Sequence, residues 1–319
     1  MPRFVNAIFI GPAAHDALEQ GATGKVHSIF KRIFNVLING KLVGIARGGV
    51  ARSPINVITD IPPSKNISSL GLRKGMQVRR IGDQILVGNV LEISLKSVEL
   101  WQPRTRVGGC IDLELVGRNL ELAKQLTVGK GGKEGMGQLV LHVNEIAYGV
   151  MPHVSDSNQV VEAALPHIVN LAKSVRAGNV RGVQQSAQKL IGLGPGLTPS
   201  ADDALAGFMV ARWWVINSLG EALDHVRGMN EAIIGQMGGT TLISQQLLEH
   251  AASGETNEAV EKLLESILVG KASDVKAGVE SVLNIGETSG IDTVVGILVG
   301  FNFSLSMYIQ AILLLTRLS

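Results

Sequence analysis

The stretch that most restricts this chain runs from Leu190 to Phe208, LIGLGPGLTPSADDALAGF. Glycines stand at 192, 194 and 196, and prolines at 195 and 199, so neither a helix nor a ladder strand can pass through. The stretch reads as a helix end, a tight turn and a new helix start. Thr198 or Ser200 is placed to cap the new helix with its hydroxyl, and Asp202 and Asp203 fall in its first turn, where acids suit the positive end of the dipole. Glycine lets backbone approach a ligand closely, and exposed N–H groups at a helix start bind anions. Gly194, Gly196, Thr198 and Ser200 are therefore candidate binding residues, with Asp202 and Asp203 the candidate catalytic acids.

The device recurs about 90 residues later. Residues 286–297, GETSGIDTVVGI, align on the first copy if Pro199 counts as an insertion, pairing Thr198/Ser200/Asp203/Gly207 with Thr288/Ser289/Asp292/Gly296. Ser to Asp at three residues is capping-box spacing. A glycine four residues beyond the Asp lies on the same helical face, where it permits a close helix crossing. Two such helix starts, if they converge, make a two-sided site for an anion or carboxylate. Thr288 and Ser289 join the candidate binding residues and Asp292 the candidate acids.

The rest of the chain divides by periodicity. Residues 1–110 alternate with period two in short runs, among them Asn56–Thr59, Gln77–Ile81 and the pair Asn35–Ile38 and Leu42–Ala46 around the hairpin signal Asn39-Gly40. Such spacing predicts a small barrel or sandwich. Residues 111–155 hold one helix at 112–126 and the loop Gly129-Lys130-Gly131-Gly132-Lys133-Glu134-Gly135, which lacks the Walker A pattern and reads as a mobile surface loop. Residues 156–319 carry 3.6-type spacing in about eight segments. The predicted class is α+β: a β-rich barrel- or sandwich-like domain, then an all-α helical bundle carrying the glycine-rich loop.

Composition settles the broad class. With 319 residues, 45% of them hydrophobic, the chain buries a large core and meets other chains through apolar surface, a homo-oligomer being one outcome. A net charge of +2 argues against a nucleic-acid protein. A single cysteine, Cys110, excludes an intrachain disulfide, and the first residues show no signal pattern, so a cytoplasmic location is expected. Residues 293–315 are long and apolar enough to span a bilayer, but Asn302, Ser304, Ser306 and Gln310 dilute them, and a buried core helix is the expectation.

Other constellations are thinner. The seven histidines form no HExxH or tight pair, and no metal motif stands out; Asp202, Asp203 and Asp292 together offer oxygen ligands for a divalent cation, the one candidate cofactor. Gly238-Gly239-Thr240-Thr241 opens another hydroxyl-rich helix start, so Thr240 and Thr241 are candidate pocket residues. His27, Ser28 and Arg47 are candidate pocket-edge groups in the β-rich part, Arg47 because a guanidinium beside two glycines can present its fork to a carboxylate or phosphate. Arg104-Thr105-Arg106 matches part of the carbamoyl-phosphate motif of aspartate and ornithine carbamoyltransferases, a match taken as coincidence because the chain lacks their two doubly wound domains.

The run from Gly192 to Asp203 resembles the hallmark G-x-G-x-G-L-T-P-S-G-D-D of a bacterial family first known as a domain of unknown function, the AllH-like family of oxamate carbamoyltransferase subunits. Ala201 stands where that pattern has Gly. Thr288–Asp292 and, more loosely, Val26–Phe30 extend the resemblance along the chain. It implies transfer of a carbamoyl group between carbamoyl phosphate and oxamate, giving oxalurate and phosphate, in a hetero-oligomer whose partner subunits complete the site. No nucleic acid or membrane partner is implied.

Overall fold

A computed structural model describes residues 2–130 and 134–318, with side chains of the last helix described as far as Leu313. The chain forms two compact units, residues 1–103 and 104–319. The central part of the predicted loop, residues 131–133, lies outside the described residues.

The first unit is a closed barrel. Its strands are β1 (Arg3–Ile10), β2 (Thr23–Ile29), β3 (Ile33–Ile38), β4 (Lys41–Ala46), β5 (Asn56–Thr59), β6 (Gln77–Ile81), β7 (Gln84–Val87), β8 (Leu91–Ser94) and the two-residue β9 (Glu99–Leu100). Eight follow the order β5-β4-β3-β2-β6-β7-β8-β1, and β1 pairs back onto β5, closing the ring; β9 extends from the far end of β1. Closure removes the unpaired edges that a sandwich would keep. Asn39 and Gly40 both have positive φ, 50° and 79°, as the two-residue β3–β4 turn requires. The interior is filled by Val26, Phe34, Val36, Val43, Ile45, Val57, Val78, Ile85 and Ile93, with Ala14, Ala17 and Leu18 from α1 (Pro12–Ala17) and its end packed into the same core. The alternation beginning at His27 is offset by a bulge between Val26 and Ser28.

The second unit is helical. It comprises α2 (Leu113–Thr127), α3 (Val143–Ala147), α4 (Gln159–Arg176), α5 (Val180–Leu190), α6 (Ser200–Ser218), α7 (Asp224–Ile234), α8 (Leu242–Ala252), α9 (Glu258–Val269), α10 (Ala272–Leu283) and α11 (Ser289–Leu318). The helix expected at 112–126 belongs here, packed on α9 and α10. Its Asn119 donates to the carbonyls of Ile267 and Gly270 at the end of α9, and also to that of Ser266, which already accepts the Gly270 N–H. Arg104, from the motif-like RTR run, is held by a two-pronged bond to Glu265 at 2.8 Å and by Glu261, which accepts its backbone N–H.

The centre of this unit is α6, apolar nearly all round and buried from Ser200 to Val215. A helix without a polar face must be surrounded, and α11, α8, α7 and α9 all pack against it. The long apolar segment at 293–315 lies in α11. Its first half is buried against α6, but its second half emerges, with Ile309, Ile312 and Leu313 exposed. The expected core helix is therefore a core helix only as far as Ser304 and Ser306. By length and composition alone, α11 is also the one described helix that could cross a membrane.

Candidate functional site

The site is built where α6 and α11 begin. The two helices cross at glycine: a methyl added at Gly207 would lie 2.3 Å from the carbonyl oxygen of Thr293, and one at Gly296 would lie 2.0 Å from that of Ala204. In the repeat alignment Ala204 corresponds to Thr293 and Gly207 to Gly296, so the contact is reciprocal, with each copy's glycine seated on the other copy's backbone. The crossing therefore carries local two-fold pseudosymmetry, which brings the paired helix starts together.

The hydroxyls obey the same exchange. Thr198 Oγ1 and Ser289 Oγ share a hydrogen bond of 2.9 Å. The Ser289 and Thr198 hydroxyls favour the ionised form of Asp203, while those of Ser200 and Thr288 favour that of Asp292. Each copy's serine thus attends the other copy's aspartate. Ser200, Asp203 and Asp292 are 1%, 3% and 0% exposed, yet the approach of each serine to the facing carboxyl falls short of hydrogen-bond geometry at Ser200 Oγ, Asp203 Oδ2 and Asp292 Oδ2, which among the described residues complete no hydrogen bond. Buried polar atoms are rarely left so, and three together mark a place shaped for something else.

Neither the Thr198 nor the Ser200 hydroxyl caps the helix. The expected cap at Thr198 or Ser200 is absent: Pro199, in extended conformation, occupies the N-cap position with no side-chain bond, and Ser200 is already helical. Main-chain carbonyls take over, since the Ala201 N–H goes to Leu193 and those of Asp202 and Asp203 to Pro199. The capping-box role expected of Asp203 fails with it. Ala201 fits without strain: it is helical, buried, and lines a small apolar cavity with Leu171, Leu205 and Val295.

Upstream of α6, Gly192, Gly194 and Gly196 have φ of 82°, 118° and 94°, a left-handed region closed to most other residues. Gly194 also lies against Ser200, 2.7 Å from its nitrogen if a Cβ were present. Among the described residues the N–H groups of Gly194, Gly196, Leu197 and Thr198 find no main-chain acceptor, and residues 195–197 are exposed. The loop is therefore an open array of donors beside the buried acids. Thr241 fastens it, donating to the Leu197 carbonyl while accepting the Ser244 N–H as the N-cap of α8. For Thr241 the capping role holds; Thr240 instead donates to Asp202 Oδ2.

The three aspartates have different duties. Asp202 accepts from Gly192 N at 2.8 Å and from Thr240, tying the loop to the α8 start. Consecutive helical residues point about 100° apart, so Asp203 faces α11 instead. Asp202, Asp203 and Asp292, which offered ligands for a divalent cation, are therefore not turned to one point, and among the described residues no group of three or more His, Cys, Asp or Glu is arranged to hold a metal ion. Burial raises the pKa of all three carboxyls. For Asp203 the rise is large, and Asp292 adds to it; for Asp292 the N–H of Met136, 2.6 Å from Oδ1, opposes it.

Met136 and Gly135 were not visible as site residues in the sequence. A Cβ on Gly135, at φ 74°, would fall 2.6 Å from Asp292 Oδ1, so only glycine lets this segment lie against the acid. The signal was the glycine-rich stretch itself, read as a mobile loop; its end is fixed, with Asn158 donating to the Gly135 carbonyl. In the barrel, His27 Nδ1 and Ser28 Oγ are 3.2 Å apart, Asn35 donates to the same Oγ, and Arg47 follows β4 with buried Nε and Nη1 atoms that have no partner. Thus the structure gathers the α6, α11 and Thr240–Thr241 candidates in the second unit, while His27, Ser28 and Arg47 belong to the first.

The barrel and the helical core each match a known family model. Residues 190–301, which hold α6 and the first part of α11, match the family described as oxamate carbamoyltransferase subunit AllH, and residues 6–100 match the AllH family N-terminal domain. The chain belongs to the AllH family. No solved structure matches it. The AllH match spans both copies of the repeat, from Leu190 to Phe301, and stops before the exposed half of α11. The family description makes this chain a subunit, and so one with partner subunits.

Proposed function

We propose that this AllH family member supplies the substrate-binding half of a carbamoyltransferase, acting on carbamoyl phosphate and oxamate to give oxalurate and phosphate together with its partner subunits. The open amides of Gly194–Thr198, at a helix start that is not capped by a side chain, carry the reading. They suit the phosphate of carbamoyl phosphate or the carboxylate of oxamate, and such donors stabilise charge that develops on oxygen. Ser200, with its unpartnered hydroxyl, stands at the junction between this donor loop and the acids. A carbamoyl group and an oxamate amide each present N–H groups, which the carboxylates of Asp203 and Asp292 accept.

The test is binding by the purified full chain, followed by thermal melting with carbamoyl phosphate, phosphate, oxamate and oxalurate. A ligand at about 100 times its Kd stabilises by roughly 2.7 kcal/mol. The expected result is a rise in Tm for one or more of these that is lost in Ser200→Ala and in Gly196→Ala, whose position has φ 94° but open space around it. A rise that survives both substitutions would move the anion site elsewhere and overturn the assignment.

A further inference from the structure

Resting on the carbamoyl-transfer reading, we infer that Asp203 and Asp292 work as a single acid–base pair holding one proton between them, which takes the proton of the attacking amide and delivers one to the departing phosphate. The pseudosymmetry is the ground for this. The two carboxyls occupy equivalent positions on helices that cross glycine to backbone, each has the other copy's serine and its own copy's threonine beside it, and each presents one unpartnered oxygen. Both are buried, and among the described residues no lysine, arginine or histidine forms an ion pair with either. Two like charges so placed cannot both ionise at low cost; one proton shared between them relieves it.

The surrounding groups do not supply another answer. Asp202, on α6, is the third acid and is committed to Gly192 and Thr240. Thr240, ahead of α8, and Ser244, in its first turn, are uncharged and attend Asp202. Glu134 and Glu287, beside Gly135 and Thr288, are exposed. Asp292 accepts the Met136 N–H on one oxygen, whereas among the described residues Asp203 has no main-chain donor, so Asp292 is the member better able to stay ionised.

The step balances. The oxamate nitrogen attacks the carbamoyl carbon, the new N–C bond forms, and the bond from that carbon to the bridging oxygen breaks, its electron pair leaving with the phosphate. The ionised carboxyl takes the N–H proton, and the neutral one gives its proton to the phosphate oxygen. The pair ends with one proton, as it began. An ionised member also favours an amide over the isosteric carboxylate, since the amide donates where the carboxylate repels.

Three measurements test it. Infrared difference spectroscopy of the ligand-free full chain at pH 7, in a Glu261→Gln background that removes the other carboxyl titrating near 7, is expected to show a carboxylic-acid C=O band that is lost in the Asp203→Asn/Asp292→Asn double variant; the same spectrum with and without the two aspartates overturns the pair. Carbon-13 carboxyl titration of the two single Asn variants is expected to move the remaining aspartate down by at least about one pH unit, the coupling that defines an interacting pair; an unmoved titration means two independent structural acids. Oxamate is expected to bind at least about tenfold more tightly than oxalate at pH 7, as for a site built around an N–H donor; equal binding overturns the proton-accepting role. The first two need no ligand, so they decide the pair even if the anion site proposed above fails.

Discussion

Replacing Gly296 with alanine tests the helix crossing on which the site depends. The added methyl would lie 2.0 Å from Ala204 O and 2.8 Å from the carbonyl carbon, against an ordinary contact of about 3.5 Å or more. The obstacle is backbone, and the facing helix is fixed by Gly207 on the same seam, so α6 and α11 must part. Overpacking of this kind costs about 3 kcal/mol, the upper end of the usual range. Alanine recovers about 1 kcal/mol of helix propensity relative to glycine, leaving a net loss of roughly 2 kcal/mol. For a domain of this size that lowers Tm by about 4–8 °C. Differential scanning calorimetry measures it, with Gly117→Ala as the control: Gly117 is helical, exposed and has nothing within 4 Å of its would-be Cβ, so the same change there raises Tm slightly. If Gly296→Ala melts no lower than Gly117→Ala, the close crossing does not exist and the convergence of the two helix starts falls with it.

Glu261 gives a pH signature. Burial lifts its carboxyl to about 7, with the Arg104 N–H and guanidinium opposing. A carboxyl whose pKa is raised on folding contributes stability that is present below about 4.5 and lost as pH rises through about 7. Relative to wild type, Glu261→Gln, which keeps the acceptor for Arg104 N–H, is therefore expected to gain stability steadily from pH 5 to pH 8 in urea titrations; a pH-independent difference refutes this. Asn119→Ala removes the side-chain donor to the carbonyls of Ile267 and Gly270, while Ser266 keeps the Gly270 N–H, and is expected to cost about 2–3 kcal/mol in denaturant melts, where a loss below about 0.5 kcal/mol would show that water replaces it. Gly135→Ala is strained by its φ and by Asp292; displacing the Met136 N–H is expected to raise the Asp292 titration point, read by carboxyl NMR, with the melting of the α6–α11 core little changed.

Much of this molecule was legible in its sequence because local signals and tertiary needs agreed. Asn39-Gly40 permits only a tight hairpin, and the strands on either side were found there. The glycine run was read as a helix end, and the structure ends α5 at Leu190, just before it. Gly207 and Gly296 were predicted to allow a close crossing because glycine on a buried face has few other uses. What failed was chemistry that depends on the third dimension. Thr198 and Ser200 have the right type and spacing for capping, but Pro199 fixes the cap geometry first, and the freed hydroxyls turn to the opposite repeat. The choice between barrel and sandwich hung on the β1–β5 pairing, some 50 residues apart, which no local pattern announces. Met136 takes part through its backbone N–H, and a main-chain donor leaves no mark in side-chain identity.

The placing of the two acids on α6 and α11 also has a consequence for biosynthesis. About 90 residues separate the two helices, so at 5–20 residues per second α6 leaves the ribosome roughly 5–20 s before its partner exists. During that interval a helix that ends up buried on every side has no second wall, and Asp203 remains hydrated and charged. Desolvation of the acids comes only when α11 docks, which makes pair formation a late event and ties its proton uptake to the last stage of folding. A nascent chain stalled between the two repeats would expose α6 to chaperones and proteases, whereas one released after Phe301 would carry the matched AllH segment complete.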